Sequence, residues 1–175
     1  MMLVAVPQLL DPNFKRSVVL ILHHDEEGAF GLVVNDPTPL NMEEFAKTQK
    51  LAFHRNSSST PVFCGGPVEP YRGWILHQNE EFEERQEIRP GLYISGSNDT
   101  LKRVLKEGTD PIRFLLGYAG WGPHQLEKEM KEGSWITTPV DPRYIFLAEP
   151  QDTWDAILHD MGIDPAQLAL GTGLH

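Results

Sequence analysis

The sequence predicts an α/β (α+β) fold, a mixed central β-sheet with helices packed on both faces, and three observations carry that expectation. Two near-continuously apolar, β-branched runs, Ser17 to His24 and Phe30 to Asn35, are joined by Asp25-Glu26-Glu27-Gly28; such a hairpin, apolar on both sides of its pleat, belongs inside a covered sheet. Elsewhere apolar residues recur at three-and-four spacing behind a capping residue, the mark of a helix with one buried stripe. Finally, 175 residues of which 40% are hydrophobic suffice for one core, whereas two independent units would each be marginal. The whole span 1–175 therefore reads as a single domain.

The remaining elements follow in order. Asp36-Pro37-Thr38-Pro39 breaks the second strand. Leu40, Asn41, Glu44 and Phe45 then fall at the spacing of a capping box flanked by a hydrophobic staple, so a helix is predicted from Asn41. Gln49 to Thr60, with its Asn56-Ser57-Ser58-Ser59 run, reads as an exposed, mobile loop. Pro61 to Cys64 and Gly73 to His77 read as strands on either side of Gly65-Gly66-Pro67, a segment that can only turn or approach another backbone closely. The acidic stretch Asn79 to Glu87 reads as a solvated connection and Leu92 to Ser95 as a strand. Ser97 or Asn98 then caps a helix with Leu101, Val104 and Leu105 on its inner face and a stop at Gly108. Ile112 to Tyr118 is strand-like, Gly120-Trp121-Gly122 a turn, and Pro123 the first position of a helix running through Leu126 and Met130 to Gly133. Trp135 to Thr138 and Tyr144 to Leu147 are read as short strands. Asp152 caps a helix burying Trp154, Ile157, Leu158 and Met161 and ending at Gly162, after which Ile163, Asp164, Gln167 and Leu168 repeat the box and staple. Asp-Pro dipeptides at Asp11, Asp36, Asp110, Asp141 and Asp164 punctuate the boundaries, as turn or cap chemistry.

Charge narrows the partners. With 15 Lys and Arg against 25 Asp and Glu, a formal charge of -10, the summed field repels phosphate polymers and anionic membranes, so direct nucleic-acid binding is disfavoured. Lys102, Arg103 and Lys106, interrupted by Glu107, read as a solvated helix face. A single cysteine, Cys64, allows no internal disulfide. The opening Met1-Met2-Leu3-Val4 has no basic leader pattern, and the longest apolar stretch, Val18 to Leu22, is too short to cross a bilayer. The expectation is a cytoplasmic protein without membrane contact.

No constellation spells out a chemical step. The glycine-rich Gly117 to Glu127 segment leads from strand to helix and can offer backbone N–H groups to an anion, but it lacks the Walker lysine and the dinucleotide glycine spacing. Gln125 can fill those donors itself, and Glu127 and Glu129 already supply negative charge there. His23 and His24 are neighbours on a strand and point to opposite faces, so they cannot chelate one ion, and Asp25 can join only one of them. His54, His77, His124, His159 and His175 are scattered, no zinc spacing is present, and no metal or cofactor is expected. Cys64, ahead of Gly65-Gly66, is the one candidate thiol nucleophile, with His77 as its base; a small buried strand residue is the plainer account. Ser95-Gly96-Ser97 is not a nucleophile elbow.

The residues also carry a resemblance. Pro7, Leu9, Asp11-Pro12, Phe14 and Ser17-Val18, then His24 with Gly28-Ala29, Gly31-Leu32-Val33-Val34-Asn35 and Pro37, then Gly65-Gly66-Pro67-Val68 with Arg72-Gly73 and Ile75-Leu76-His77, and last the Gly117 to Glu127 block with Trp135 resemble the AlgH/YqgE family of bacterial proteins almost end to end. That resemblance implies one α/β domain with a mixed sheet, an activity not established, and regulatory or transcriptional roles attached through one member named for alginate regulation. Carried over residue by residue, it marks Asp11, Arg16, Ser17, His24, Asn35, Arg72, His77, Asn98, Gln125 and Glu127 as a shared polar set, to which Gly120 and Trp121 add the exposed corner. The chain departs from the family pattern in two places: Asp36 where a basic residue is frequent, and His124 where glycine is usual. The leading functional expectation is a non-catalytic binding or regulatory module that contacts a small molecule or a protein partner. An enzyme using Cys64 and His77, or a nucleotide-type ligand at Gly120 to Gln125, is the second reading and a direct DNA binder the third.

Overall fold

Met2–Ala5, four consecutive residues with no exposed surface, form a strand that the sequence reading leaves unassigned, because so short a run shows no period of its own. The computed structural model describes residues 1–53, 60–107, 111–146 and 149–170. Its strands are β1 (Met2–Ala5), β2 (Val18–Asp25), β3 (Gly28–Val33), β4 (Pro37–Asn41), β5 (Pro61–Cys64), β6 (Val68–His77), β7 (Gln86–Arg89), β8 (Leu92–Ser95), β9 (Ile112–Trp121) and β10 (Trp135–Thr138). The helices are α1 (Met42–Thr48), α2 (Asn98–Glu107), α3 (Gln125–Lys131), α4 (Pro142–Phe146), α5 (Thr153–Asp160) and α6 (Pro165–Ala169). All belong to one α/β domain. The strand order is β10-β1-β2-β3-β9-β6-β8-β7, with β4 joined through β5 to β9. Pairing is antiparallel except between β5 and β9, so the sheet is mixed, as predicted.

The apolar hairpin lies where its composition demands, β2 between β1 and β3, and β3 between β2 and β9. Alternation along the strands then sends side chains to two cores. Met2, Val4, Val18, Leu20, Leu32 and Leu115 pack with Ile145 of α4 and Trp154, Ile157 and Leu158 of α5. On the other face Leu3, Ala5, Val19 and Val33 pack with Leu126 of α3, and Val62, Ile75 and Phe114 with α1 and α2. Helices thus cover both faces. Covering fails at the far end of β2, where His23, His24 and Asp25 are exposed.

The two halves of the sheet meet on β9. Its first half pairs with β5 at Phe114, Leu115 and Leu116, and its second half pairs with β3 at Ala119, Gly120 and Trp121. Between them the backbone of Gly65 bridges both neighbours: its N–H donates to Leu116 O at 2.8 Å and its carbonyl accepts from Val33 N at 2.8 Å. No side chain fits there. A Cβ on Gly65 would lie 2.4 Å from Gly117 O, one on Gly66 2.2 Å from the carbonyl carbon of Tyr118, and one on Gly117 2.4 Å from Gly66 O. The close backbone approach read from Gly65-Gly66 is therefore real, and β9 is its partner.

Local chemistry explains several boundaries. Asn41 closes the full capping box, its side chain accepting from Glu44 N at 2.8 Å while Glu44 Oε2 accepts from Asn41 N at 3.2 Å. Ser97 caps α2 through Thr100 N. Asp164 accepts from Ala166 N at 2.9 Å, a cap without the reciprocal half of the box.

Other boundaries correct the sequence reading. Pro37 to Asn41 does not break the sheet but forms β4, paired to β5 alone, an edge position where proline's missing N–H costs no ladder bond. Gly120 and Trp121 do not turn; facing Phe30 and Ala29, they extend β9. The helix predicted from Pro123 begins two residues later, behind His124. Tyr144 to Phe146 belong to α4 rather than to a strand, because a five-residue helix is too short to show a period. The acidic connection holds β7 and the buried Phe82, and Leu51 and Phe53 pack against the core beneath α1 and α2. Met161 is 38% exposed rather than buried. Residues 54–59, the stop at Gly108 and Leu147 lie outside the described residues. Among the described residues no helix is long and apolar enough to cross a membrane.

His77 is the most enclosed polar group on β6. It has no exposed surface, its Nδ1 accepts from Asn79 N at 3.2 Å, and its Nε2 lies 2.8 Å from Ser95 Oγ, which in turn donates to Glu84 O. With Nδ1 accepting, Nε2 carries the proton and donates to Ser95. Burial pushes the His77 pKa down to about 4. As pH falls below ~6.5 the unfolded chain takes up a proton that the folded imidazole refuses, so this group should remove ~3 kcal/mol of stability by pH ~4 and no more below it. Urea unfolding across that window should show the loss, and His77→Gln should flatten this component of the curve. A wild type and a variant that decline in parallel would contradict the assignment.

Candidate functional site

An open cleft of about 620 Å³ lies between the β2–β3 hairpin and the adjoining strands β9 and β6. Two departures from regular pairing shape it. On β2 the register shifts between Ile21 and His23, which pair with Gly31 and Phe30. The extra residue, Leu22, turns inward to the α4–α5 core and leaves His23 opposite Phe30, so an imidazole stands where strict alternation would put a leucine. On β6 the register shifts between Val68 and Gly73, and within that bulge Glu69 adopts φ 45°, a left-handed backbone that is strained for a residue with a Cβ.

Aromatic rings line the result. His23 stacks on Phe30 at 5.9 Å, Phe30 meets Tyr118 edge-on at 6.1 Å, and Tyr118 meets Trp74 edge-on at 6.5 Å. Gly120 sits beside them in ordinary extended backbone; a Cβ there would meet only Tyr118 Cε2 at 3.7 Å and Val68 Cγ2 at 3.8 Å, so its missing side chain is open cleft. The polar groups are few. Asp25 accepts from His23 Nε2 at 2.6 Å and from Glu27 N at 2.8 Å, and the histidine first and that amide second hold its carboxyl below the usual range. Desolvation and the Glu69 carboxylate push the Tyr118 hydroxyl upward. Arg72 pairs with Glu69 at 3.6 Å and lies over the Trp74 ring at 4.4 Å from its centroid. Trp74 Nε1 is buried without any hydrogen-bond partner, a donor whose desolvation nothing in the described chain offsets.

The residues singled out from sequence separate into distinct places. Arg72, Gly120 and Trp121 line the cleft. His24 faces the opposite side of the hairpin, where Nε2 lies 2.7 Å from Glu127 Oε1; a backbone N–H first and His24 second hold the Glu127 carboxyl down. His23 and His24 thus face opposite sides of the hairpin, and among the described residues no group of three or more His, Cys, Asp or Glu gathers as a metal site. At the other end of the sheet Asn35 accepts from Val18 N at 2.9 Å and donates to Arg16 O at 3.0 Å, closing the mouth of the hairpin. Arg16, at φ 57°, pairs with Asp155 at 2.6 Å and lies over Trp154. Ser17 is buried with its carbonyl on Ala5 N, and Asp11 shapes the preceding turn. These four form one structural latch. Asn98 is exposed at the start of α2. Cys64 and His77 are not brought together: they flank β9 on opposite sides, at Leu116 and Ile112, separated by ~13 Å along the strand alone.

At the corner itself the chain supplies its own partners. Gln125 Oε1 accepts from Gly122 N at 3.0 Å and Gln125 Nε2 donates to Glu129 Oε1 at 3.1 Å. Glu129 Oε2 accepts both indole N–H groups of Trp121, at 2.8 Å, and Trp135, at 2.9 Å, with Phe14 stacked on Trp121 and edge-on to Trp135. The Gly122 donor that an anion would use is thus taken, and the neighbouring carboxylates repel one. His124 adopts φ 62°, the left-handed backbone in which the glycine usual at that place of the family pattern is free of strain.

Fold and site together define a mixed α/β domain with an aromatic cleft at the open end of its hairpin. The chain belongs to the AlgH-like family, whose model matches residues 2–166. A UPF0301 protein of Myxococcus xanthus is 45% identical over 99% of this chain and 96% of its own length. One from Paracoccus denitrificans is 40% identical over 98% and 94%. The solution structure of AlgH from Pseudomonas aeruginosa superposes with a TM-score of 0.75 at 32% identity, covering 99% of this chain and 94% of that one. A Corynebacterium diphtheriae crystal structure shares the fold at 20% identity and a TM-score of 0.74, covering 99% and 90%.

Sequence reading missed Phe30, Trp74, Tyr118 and Glu69. The only local signal of the three rings is aromatic residues in strand interiors, which is equally the signature of a core; the two bulges, with Glu69 in one of them, leave no motif. The Glu129 cluster is testable as structure. Glu129→Ala strands two indole N–H groups and should cost about 2–5 kcal/mol by urea unfolding. A loss below ~0.5 kcal/mol would contradict the arrangement.

Proposed function

We propose that this chain is a non-catalytic binding module and that the aromatic cleft receives a small ligand. The observation that supports it most is the orphan Trp74 N–H in the wall of a cleft lined by ring faces, the bare backbone of Gly120 and the few charged side chains of Asp25, Glu27 and Arg72. A concave, largely apolar pocket with a few placed polar groups is what small-molecule recognition requires, and a buried donor without an acceptor is a standing cost that a bound acceptor relieves. The separation of Cys64 from His77 supports binding over thiol chemistry. The output is regulatory, through a protein partner met in a ligand-dependent way in the cytoplasm, and any influence on transcription is indirect, because a formal charge of -10 opposes contact with nucleic acid.

The test fills the cleft without straining the strand. Thermal shifts of the wild type against a nucleotide and metabolite panel should reveal at least one stabilising compound, and Gly120→Leu should abolish that shift while melting within a few degrees of the wild type. A compound that stabilises both proteins equally binds elsewhere, and a flat response across the panel removes the reading.

A further inference from the structure

We propose that the cleft selects an organic cation, an alkylated ammonium carrying an oxygen acceptor, and that Arg72 is its internal competitor. This rests on the cleft being the ligand site and goes further by naming what it takes.

Geometry comes first. Phe30 and Trp74 both stand steeply to Tyr118, at 71° and 89°, so the three rings wall a box rather than stack as a core layer. Ring faces carry negative potential, and a cation enclosed by several of them is held without a direct counter-ion. Alkylated ammonium groups, weakly hydrated and apolar at their surface, lose least on entering such a box.

Charge points the same way. Of the ionised groups at the cleft, Arg72 is offset by Glu69 and Asp25 is engaged by His23. The Glu27 carboxylate lines the cleft with no partner among the described residues. The balance is negative, within a chain that is itself strongly acidic. An anionic ligand would meet that field; a cation gains from it.

The third observation is that a cation already uses the wall. The Arg72 guanidinium carbon sits 4.4 Å from the Trp74 centroid, yet the side chain is 54% exposed and its ion pair is a long 3.6 Å. Pairs of that kind are weak, so the guanidinium is loosely seated and can swing into solvent when a better-enclosed cation takes the ring. Trp74 Nε1–H, without a partner in the described chain, then donates to an oxygen on the incoming molecule. That is why the acceptor is part of the assignment.

Intrinsic tryptophan fluorescence and isothermal titration of the full chain with choline, tetramethylammonium and dimethylbutanol, the neutral carbon isostere of choline, decide the matter. Choline should bind the wild type, tetramethylammonium more weakly for want of the oxygen, and dimethylbutanol on the order of tenfold more weakly still. Phe30→Ala should weaken choline about tenfold and Glu27→Gln about twofold. Arg72→Ala should tighten it severalfold, whereas Arg103→Ala, the same change of charge beside Phe82, should leave it unchanged. Equal binding of dimethylbutanol and choline, or weaker choline binding by Arg72→Ala, overturns the proposal. So does the absence of binding by either ammonium compound. In that case a metabolite hit that Gly120→Leu blocks keeps the cleft as a site with a different ligand, while no hit of any kind removes the site as well.

Discussion

The passage of Gly65-Gly66 across Gly117 is the constraint from which the rest of the molecule follows. A ten-residue strand in an ordinary sheet keeps the same neighbour along its length. β9 changes neighbours midway, from β5 to β3, and it does so because one backbone passes directly over another at distances that exclude any Cβ. Gly65 keeps the ladder continuous through the change by bonding to both sides, so the sheet pays no unsatisfied backbone group at its seam.

From that seam the cleft is geometrically determined. Once β9 has moved to β3, Gly120 lies opposite Phe30, while Tyr118, on the same face, lies opposite Val68 of β6. Trp74 reaches the same face from beyond the β6 bulge. The β2 bulge brings His23 to join them. Helices α4 and α5 cover the apolar centre of this face and leave the hairpin end uncovered. A surface of rings is therefore left open by the reach of two short helices, and Arg16 at the mouth of the hairpin, whose carbonyl accepts from Asn35, ties down the first turn of α5 through Asp155.

How much of this could be read in advance depended on the range of the physics involved. The hairpin, the Asn41 box and the Ser97 cap are local: turn chemistry, period and capping all lie within a few residues, and each appears where the sequence puts it. The strand at Met2, the edge role of Pro37 and Pro39, and the extension of β9 through Gly120 depend on partners dozens of residues away, and no short window contains them. The site shows the same division. Arg72, Gly120 and Trp121 were legible as polar or glycine-rich positions of a familiar pattern. Phe30, Trp74 and Tyr118 were not, because an aromatic residue in a strand looks the same whether a bulge turns it to solvent or packing buries it. His77 was legible as unusual but for the wrong reason: its partner is Ser95 on β8, on the far side of β6 from the strand that carries the thiol.

The dependence of the cleft on the glycine seam can be measured directly by ring-to-ring nuclear Overhauser effects in the wild type and in Gly66→Ala, held well below its melting temperature. The wild type should connect Phe30 to Tyr118 and Tyr118 to Trp74, and should separately connect Trp121 to Trp135. In the variant the first two connections should vanish while the last persists. Retention of all three would show that the ring box forms without the crossing and would contradict the account.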